Sequence, residues 1–290
     1  LYMTNTESDV VLDINSQQYY VLLSGRWFRS RSLGGPWSSV SPGQLPATFE
    51  MIPPRSARGD VRAHVAGTDE AKIAVIDTQI PQTAAIPRGL ANLNVTYDGP
   101  PQFKPIPGTK IEYAVNTSAS ILKIHGRFYA CDQGAWYLSL APTGPWTVAT
   151  AVPPEVQTIP PSCPLYNTRY VYVYESTPSV VYVGYTPAYF GCYPYDGVVV
   201  WGTDYYYTPW VGTYFYPWPA TWGFDARYNS WGGWSFGLSY GSGPFGLAFG
   251  GRDDDRRSSE QGQYYFLQAL LRTISLGTLS RRDRKARHLG

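Results

Sequence analysis

Short apolar runs of period two, broken by Gly and Pro, mark most of the chain's elements, which is the pattern of half-buried strands. Asp9-Val-Val-Leu-Asp-Ile14 and Gln18-Tyr-Tyr-Val-Leu-Leu23 are β-type runs, Ser24-Gly25 is a turn signal, and Arg26-Trp-Phe-Arg-Ser-Arg31 reads as a further short strand. Gly34-Gly-Pro36 then reverses the chain so that Trp37 folds back. Tyr170-Val-Tyr-Val-Tyr174 alternates strictly and predicts Val on one face and Tyr on the other. Val180-Val-Tyr-Val-Gly-Tyr185 and Val198-Val-Val-Trp201 are further strands, whereas Tyr205-Tyr-Tyr207 and Thr213-Tyr-Phe-Tyr216 carry aromatic side chains on both faces. Helical spacing is confined to two places. Ala71, Ile73, Ala74, Val75 and Ile76 follow a cap-like Gly67-Thr68-Asp-Glu70 and end before Pro81, with a short strand as the alternative. Leu267, Leu270, Leu271 and Ile274 form one apolar stripe near the C-terminus.

The meander pattern occurs twice. Tyr20, Gly25, Trp27, Ser30, Gly35, Pro36 and Trp37 recur as Tyr129, Gly134, Trp136, Ser139, Gly144, Pro145 and Trp146, every pair 109 residues apart. Ile52-Pro53-Pro54 similarly matches Ile159-Pro160-Pro161. In each unit the Trp pair, Trp27 with Trp37 and Trp136 with Trp146, reads as the anchor of a small core; a stacking platform for a sugar ring is the other reading. The expected fold is therefore mostly β, with two repeated antiparallel β-meander units, an aromatic-rich β region, and short helices in the insert and at the C-terminus. The expected boundaries are 1–57 for unit one, 58–111 for the insert with its helix, 112–162 for unit two, 163–250 for the aromatic and Gly-rich β region, and 251–290 for a charged tail with an amphipathic helix.

Composition sharpens this picture. Only 15% of the 290 residues are charged while 16% are aromatic, and the formal net charge of +2 provides no field for nucleic acid. No uninterrupted apolar run is long enough for a transmembrane helix. Leu1 in place of Met, with no basic-then-apolar leader, points to a mature or partial product. The composition, poor in charge and rich in Tyr, Trp, Gly and Pro, points to an extracellular or cell-surface location. Of the three cysteines, Cys163 and Cys192 flank one strand region and are expected to pair, leaving Cys131 free; three buried free thiols are the alternative.

Catalytic chemistry is thin. His64, His125 and His288 lack metal-ligand spacing, so no metal or cofactor is expected. Gly237-Leu-Ser239-Tyr-Gly241 and Gly241-Ser-Gly243-Pro-Phe-Gly246 spell a nucleophile elbow and a dinucleotide loop, but neither is followed by the helix it needs. Arg58-Gly59-Asp60 spells an adhesion tripeptide that arises easily by chance. A non-enzymatic role follows as the expectation.

Two resemblances add to this reading. Trp27-Phe28-Arg-Ser30-Arg-Ser32-Leu33-Gly-Gly35-Pro36-Trp37 resembles a blade motif of arabinanase-type glycosidase propellers, whose acidic residues have no recognisable counterpart here. Over residues 1–249 the chain resembles large uncharacterised bacterial proteins labelled carbohydrate-binding family five/twelve, through Tyr20-Val-Leu-Leu-Ser-Gly-Arg-Trp27, Thr96-Tyr-Asp-Gly99, Ser176-Thr-Pro-Ser-Val-Val-Tyr-Val-Gly-Tyr185 and Thr221-Trp-Gly-Phe224. That label implies polysaccharide binding. The expected function is a self-assembling extracellular structural protein, with a carbohydrate-binding module as the alternative and a propeller glycosidase as the lesser one. Expected partners are further copies of the chain, in an oligomer or filament, and envelope polysaccharide. The candidate ligand or assembly surface comprises Tyr170, Tyr172, Tyr174, Tyr205, Tyr207, Trp210, Tyr214, Tyr216 and Trp218.

Overall fold

The computed structural model describes residues 1–216 except 7, 90, 92 and 206, together with strands at 226–229 and 233–236. Strands β1 (Asp9–Asp13), β2 (Gln18–Leu23), β3 (Arg26–Ser30) and β4 (Ser38–Val40) form an antiparallel sheet in chain order. A 3-10 segment, Gly59–His64, leads to helix α1 (Asp69–Asp77), whose N-cap Thr68 accepts a hydrogen bond from the Ala71 N–H at 3.2 Å. This is the short helix of the insert, capped as its sequence predicts.

After α1 come β5 (Gln82–Pro87), β6 (Phe103–Pro105), β7 (Glu112–Ala114), β8 (Ser120–Ile124), β9 (Arg127–Asp132), β10 (Ala135–Ser139) and β11 (Thr147–Val148). Strands β6 to β11 form one sheet, in the order β11-β10-β9-β8-β7-β6. Strands β12 (Val171–Ser176) and β13 (Val180–Tyr185) pair with each other, and β5 adds to β13. The insert at 58–111 is thus shared between sheets, because β5 pairs with β13 and β6 with β7, both outside it. Three hairpins follow: β14 (Cys192–Tyr195) with β15 (Val198–Trp201), β16 (Trp210–Val211) with β17 (Phe215–Tyr216), and β18 (Ala226–Asn229) with β19 (Gly233–Phe236). The last of these lies within the region expected to be aromatic, Gly-rich and β.

Four hairpin turns share one solution. Ser24-Gly25, His125-Gly126, Gln133-Gly134 and Asp196-Gly197 all have positive φ at both residues, the geometry that matches strand twist in two-residue loops.

The interior is divided. Trp27, Tyr20, Phe49, Val61 and Val65 fill the first core, with Trp27 edge-on to Phe49 at 5.2 Å. Trp136 centres a larger core shared by β8 to β10 and the inner face of the β12-β13-β5 sheet, through Val171, Val181, Val183, Tyr185 and Ile86. Trp146 is buried in a smaller cluster beside Ile121 and Ala130, and Trp37 is half-buried.

The expected Cys163–Cys192 bond is not formed; Cys131, Cys163 and Cys192 are all free and buried. Cys163 packs in the Trp136 core, whereas Cys192 packs with Ala63, Ala74 and Val199 in another cluster, so the two thiols sit in different interiors. Arg58 of the adhesion-like tripeptide is tied in an ion pair to Asp9, and a Cβ on Gly59 would lie 2.0 Å from the Pro54 carbonyl oxygen. That segment is built for packing.

Candidate functional site

The outer face of the β12-β13-β5 sheet presents a group of tyrosines. Alternation turns Val171 and Val173 inward and Tyr172 outward, as the sequence predicts. Register then carries the face across the sheet: Tyr172 lies opposite Gly184 and Gly184 opposite Thr83, while Tyr182 pairs with Ala85. Tyr174 breaks the alternation. The register shifts between Val173 and Glu175, so Tyr174 is the extra residue of a bulge.

The bulge and Gly184 act together. An ideal Cβ on Gly184 would meet Tyr174 Cε2 at 2.7 Å, so the tyrosine ring lies against the sheet in the space a side chain would take. Its centroid is 6.0 Å from that of Tyr172, with the ring planes inclined by 33°. Tyr174 and Tyr182 remain 52% and 43% exposed. Burial, and secondarily the neighbouring Tyr172, holds the Tyr174 phenol above its ordinary value of 10, so it stays a neutral hydrogen-bonding group at physiological pH. Beside β12, a groove of about 420 Å³ runs between Tyr172 and Tyr174 on one side and Val152, Pro153, Pro154 and Gln157 on the other. Aromatic rings, proline, a few neutral polar groups and the single carboxylate of Glu175 line it, a mixture able to meet the apolar faces and hydroxyls of a sugar chain.

The other expected residues are dispersed. Tyr170 belongs to the 3-10 segment Tyr166–Tyr170 that precedes β12, and it packs against Tyr166 and Tyr193 with centroids 5.8 and 5.5 Å away. Its ring therefore packs with the Tyr166 and Tyr193 cluster and lies outside β12, because the 3-10 turn ends before the two-residue period begins. Tyr205 lines a different pocket, at the foot of β3. Tyr207 is half-buried, and its hydroxyl donates to the Pro161 carbonyl at 2.5 Å. Trp210, Tyr214 and Tyr216 lie in or beside the β16–β17 hairpin, which Asp98 holds: its carboxylate accepts from Trp210 Nε1 at 2.8 Å and from the Tyr214 N–H at 3.1 Å. Trp218, the two glycine-rich motifs and the C-terminal stripe lie outside the described residues. Trp27 and Trp136 are fully buried anchors with no exposed ring face. Tyr182 is the member of the platform that sequence reasoning missed; the one signal for it was Gly184, a lone glycine inside a strand pattern.

Among the described residues, no group of three or more His, Cys, Asp or Glu side chains lies close enough to hold a metal ion, and no helix is long and apolar enough to cross a membrane. The chain matches no family model, no curated protein and no solved structure.

Proposed function

We propose that this is a non-catalytic extracellular protein that binds polysaccharide through the Tyr172, Tyr174 and Tyr182 face. The observation that carries the reading is the Tyr174 ring laid over Gly184, which fixes an exposed aromatic face before any ligand arrives. The label attached to the resembling bacterial proteins points the same way. Retention on insoluble cellulose and chitin tests it. The intact protein is expected to be retained, and the Tyr172→Ala/Tyr174→Ala/Tyr182→Ala variant to wash off with unchanged circular dichroism. Unchanged retention of that variant, or no retention of the intact protein, overturns the reading.

The two Trp-centred sheets are, in the same proposal, copies of one unit. Trp27 Nε1 donates to the His64 carbonyl at 2.7 Å, and Trp136 Nε1 to the Val171 carbonyl at 3.0 Å. Arg62 donates to the Ile52 carbonyl at 2.8 Å, and Arg169 to the Ile159 carbonyl at 3.1 Å. Buried Ser30 and Ser139 each accept from the N–H two residues on, both at 3.1 Å.

Self-association is the second reading, favoured by the exposed Val211, Tyr214 and Phe215 of the β16–β17 hairpin. Tyr185, Tyr193 and Val198 to Val200, by contrast, are covered within one chain and offer nothing to a second copy.

A further inference from the structure

A second recess lies away from the tyrosine platform, where β14 and β15 dock onto the first sheet. The docking is set by one turn. The Trp201 N–H donates to the Ser24 carbonyl at 2.9 Å, and a Cβ on Gly25 would stand 2.5 Å from the Val199 carbonyl oxygen. Only glycine allows that approach, at a φ of +77°. His64 donates from Nδ1 to the same Val199 carbonyl at 3.0 Å.

The hairpin docked in this way leaves a pocket of about 380 Å³, at the lower end of the ~300–1,000 Å³ typical of small-molecule sites. Tyr166 and Tyr193, with centroids 5.1 Å apart, form its inner wall, and Tyr195 and Tyr205 stand half-exposed at the mouth. Arg26 donates to the Trp201 and Gly202 carbonyls at 2.6 and 2.8 Å, fixing the chain just before Thr203, Asp204 and Tyr205. Thr203 is held in turn by a hydrogen bond between its hydroxyl and that of Tyr207. Asp204 adopts a φ of +66°, unusual for a residue with a side chain, in a loop anchored on both sides.

The lining narrows the ligand class. Arg26 and Asp204 sit close enough to interact, so cation and carboxylate offset each other and the pocket favours neither sign. One carboxylate is too few for a hard-cation cage and lacks the second carboxyl that glycoside hydrolysis uses. Four tyrosines with one carboxylate and neutral hydroxyls instead match a small ligand having apolar C–H faces and several hydroxyls. We infer that this pocket binds one or two rings of a neutral pyranose, as a site independent of the platform on β12 and β13. Two such sites in one chain would add avidity on a polymer, without contact between them.

Titration of the intact protein with cellobiose and with N,N′-diacetylchitobiose, followed by tyrosine and tryptophan fluorescence and by NMR, tests the inference. At least one disaccharide is expected to bind saturably, and Tyr205→Ala and Asp204→Asn should each weaken it about tenfold. The triple platform variant should titrate like the intact protein, so failure of the platform reading and failure of this one give different results. Saturation by neither disaccharide, equal binding by Tyr205→Ala, or preferential saturation by glucuronate or by a proline-rich peptide overturns the inference.

Discussion

Trp27 in β3 and Trp136 in β10 are both fully buried, and each indole donates to a backbone carbonyl, 37 and 35 residues downstream respectively. What lies beyond that carbonyl differs. His64 passes the contact on to Val199 in β15, hence to the pocket wall. Val171 is itself the first residue of β12, hence of the tyrosine platform. The first core is also small and closed by Phe49 and Val61, whereas the second runs on into the β12-β13-β5 sheet. Two similarly buried indoles thus stand behind two different surfaces, one shaped by the Gly25 turn against Val199 and the other by the Tyr174 bulge over Gly184.

Truncating the anchors should separate the two surfaces. Trp136→Ala and Trp27→Ala are each expected to cost about 3–5 kcal/mol of unfolding free energy, measured by urea titration. Trp136→Ala should be the worse and should abolish polymer retention, because its core is continuous with the platform sheet. Equal polymer retention by the two variants would break the comparison.

Glycine substitutions sharpen it with a smaller effect. Gly25→Ala forces a side chain against the Val199 carbonyl, and Gly184→Ala forces one against the Gln82 carbonyl and the Tyr174 ring. Each should cost about 1–3 kcal/mol. Gly25→Ala should weaken disaccharide binding and leave polymer retention standing, and Gly184→Ala should do the reverse.

The smallest expected difference is in pH response. Burial, opposed in part by the Val199 hydrogen bond and by Asp60, lowers the His64 pKa from its ordinary 6.5. The folded state therefore binds that proton less readily than the unfolded chain does. The contribution is present above pH 6.5 and is lost as pH falls from there through the folded value. Val171, which accepts the Trp136 indole hydrogen bond, does not titrate. Melting curves at pH 7.5 and 5.5 should show acid destabilisation that is reduced in His64→Gln, and a pH-independent difference between the two proteins would count against it.

Much of the β framework could be read in advance, because the period-two runs at Gln18–Leu23 and Val180–Tyr185 and the X-Gly turns are local signals. The anchor role of Trp27 and Trp136 was readable from their mid-strand positions. The surfaces were not, because they depend on contacts between residues remote in the chain. Tyr182 joins the platform only through pairing with β12 and β5, Tyr174 only through a bulge, and Tyr170 leaves it through a 3-10 turn. The pocket needs Gly25 to meet Val199, and nothing in either local sequence announces the other. Under the proposed duplication, Arg62 and Arg169 share the 107-residue spacing of Ile52 and Ile159, a match that sequence alone leaves meaningless until each side chain is seen to reach an Ile carbonyl.

The three unbonded cysteines turn out to be useful in their own right. Burial pushes the Cys163 thiol up to about 11 and holds Cys131 and Cys192 well above the usual range, so none is a ready thiolate in the folded chain. An alkylating reagent reaches each one only while its surroundings are open. Cys131 and Cys163 keep time for the interior around Trp136, and Cys192 for the cluster under α1. Labelling rates peptide by peptide would therefore clock the breathing of the two halves separately, with no probe added to the molecule.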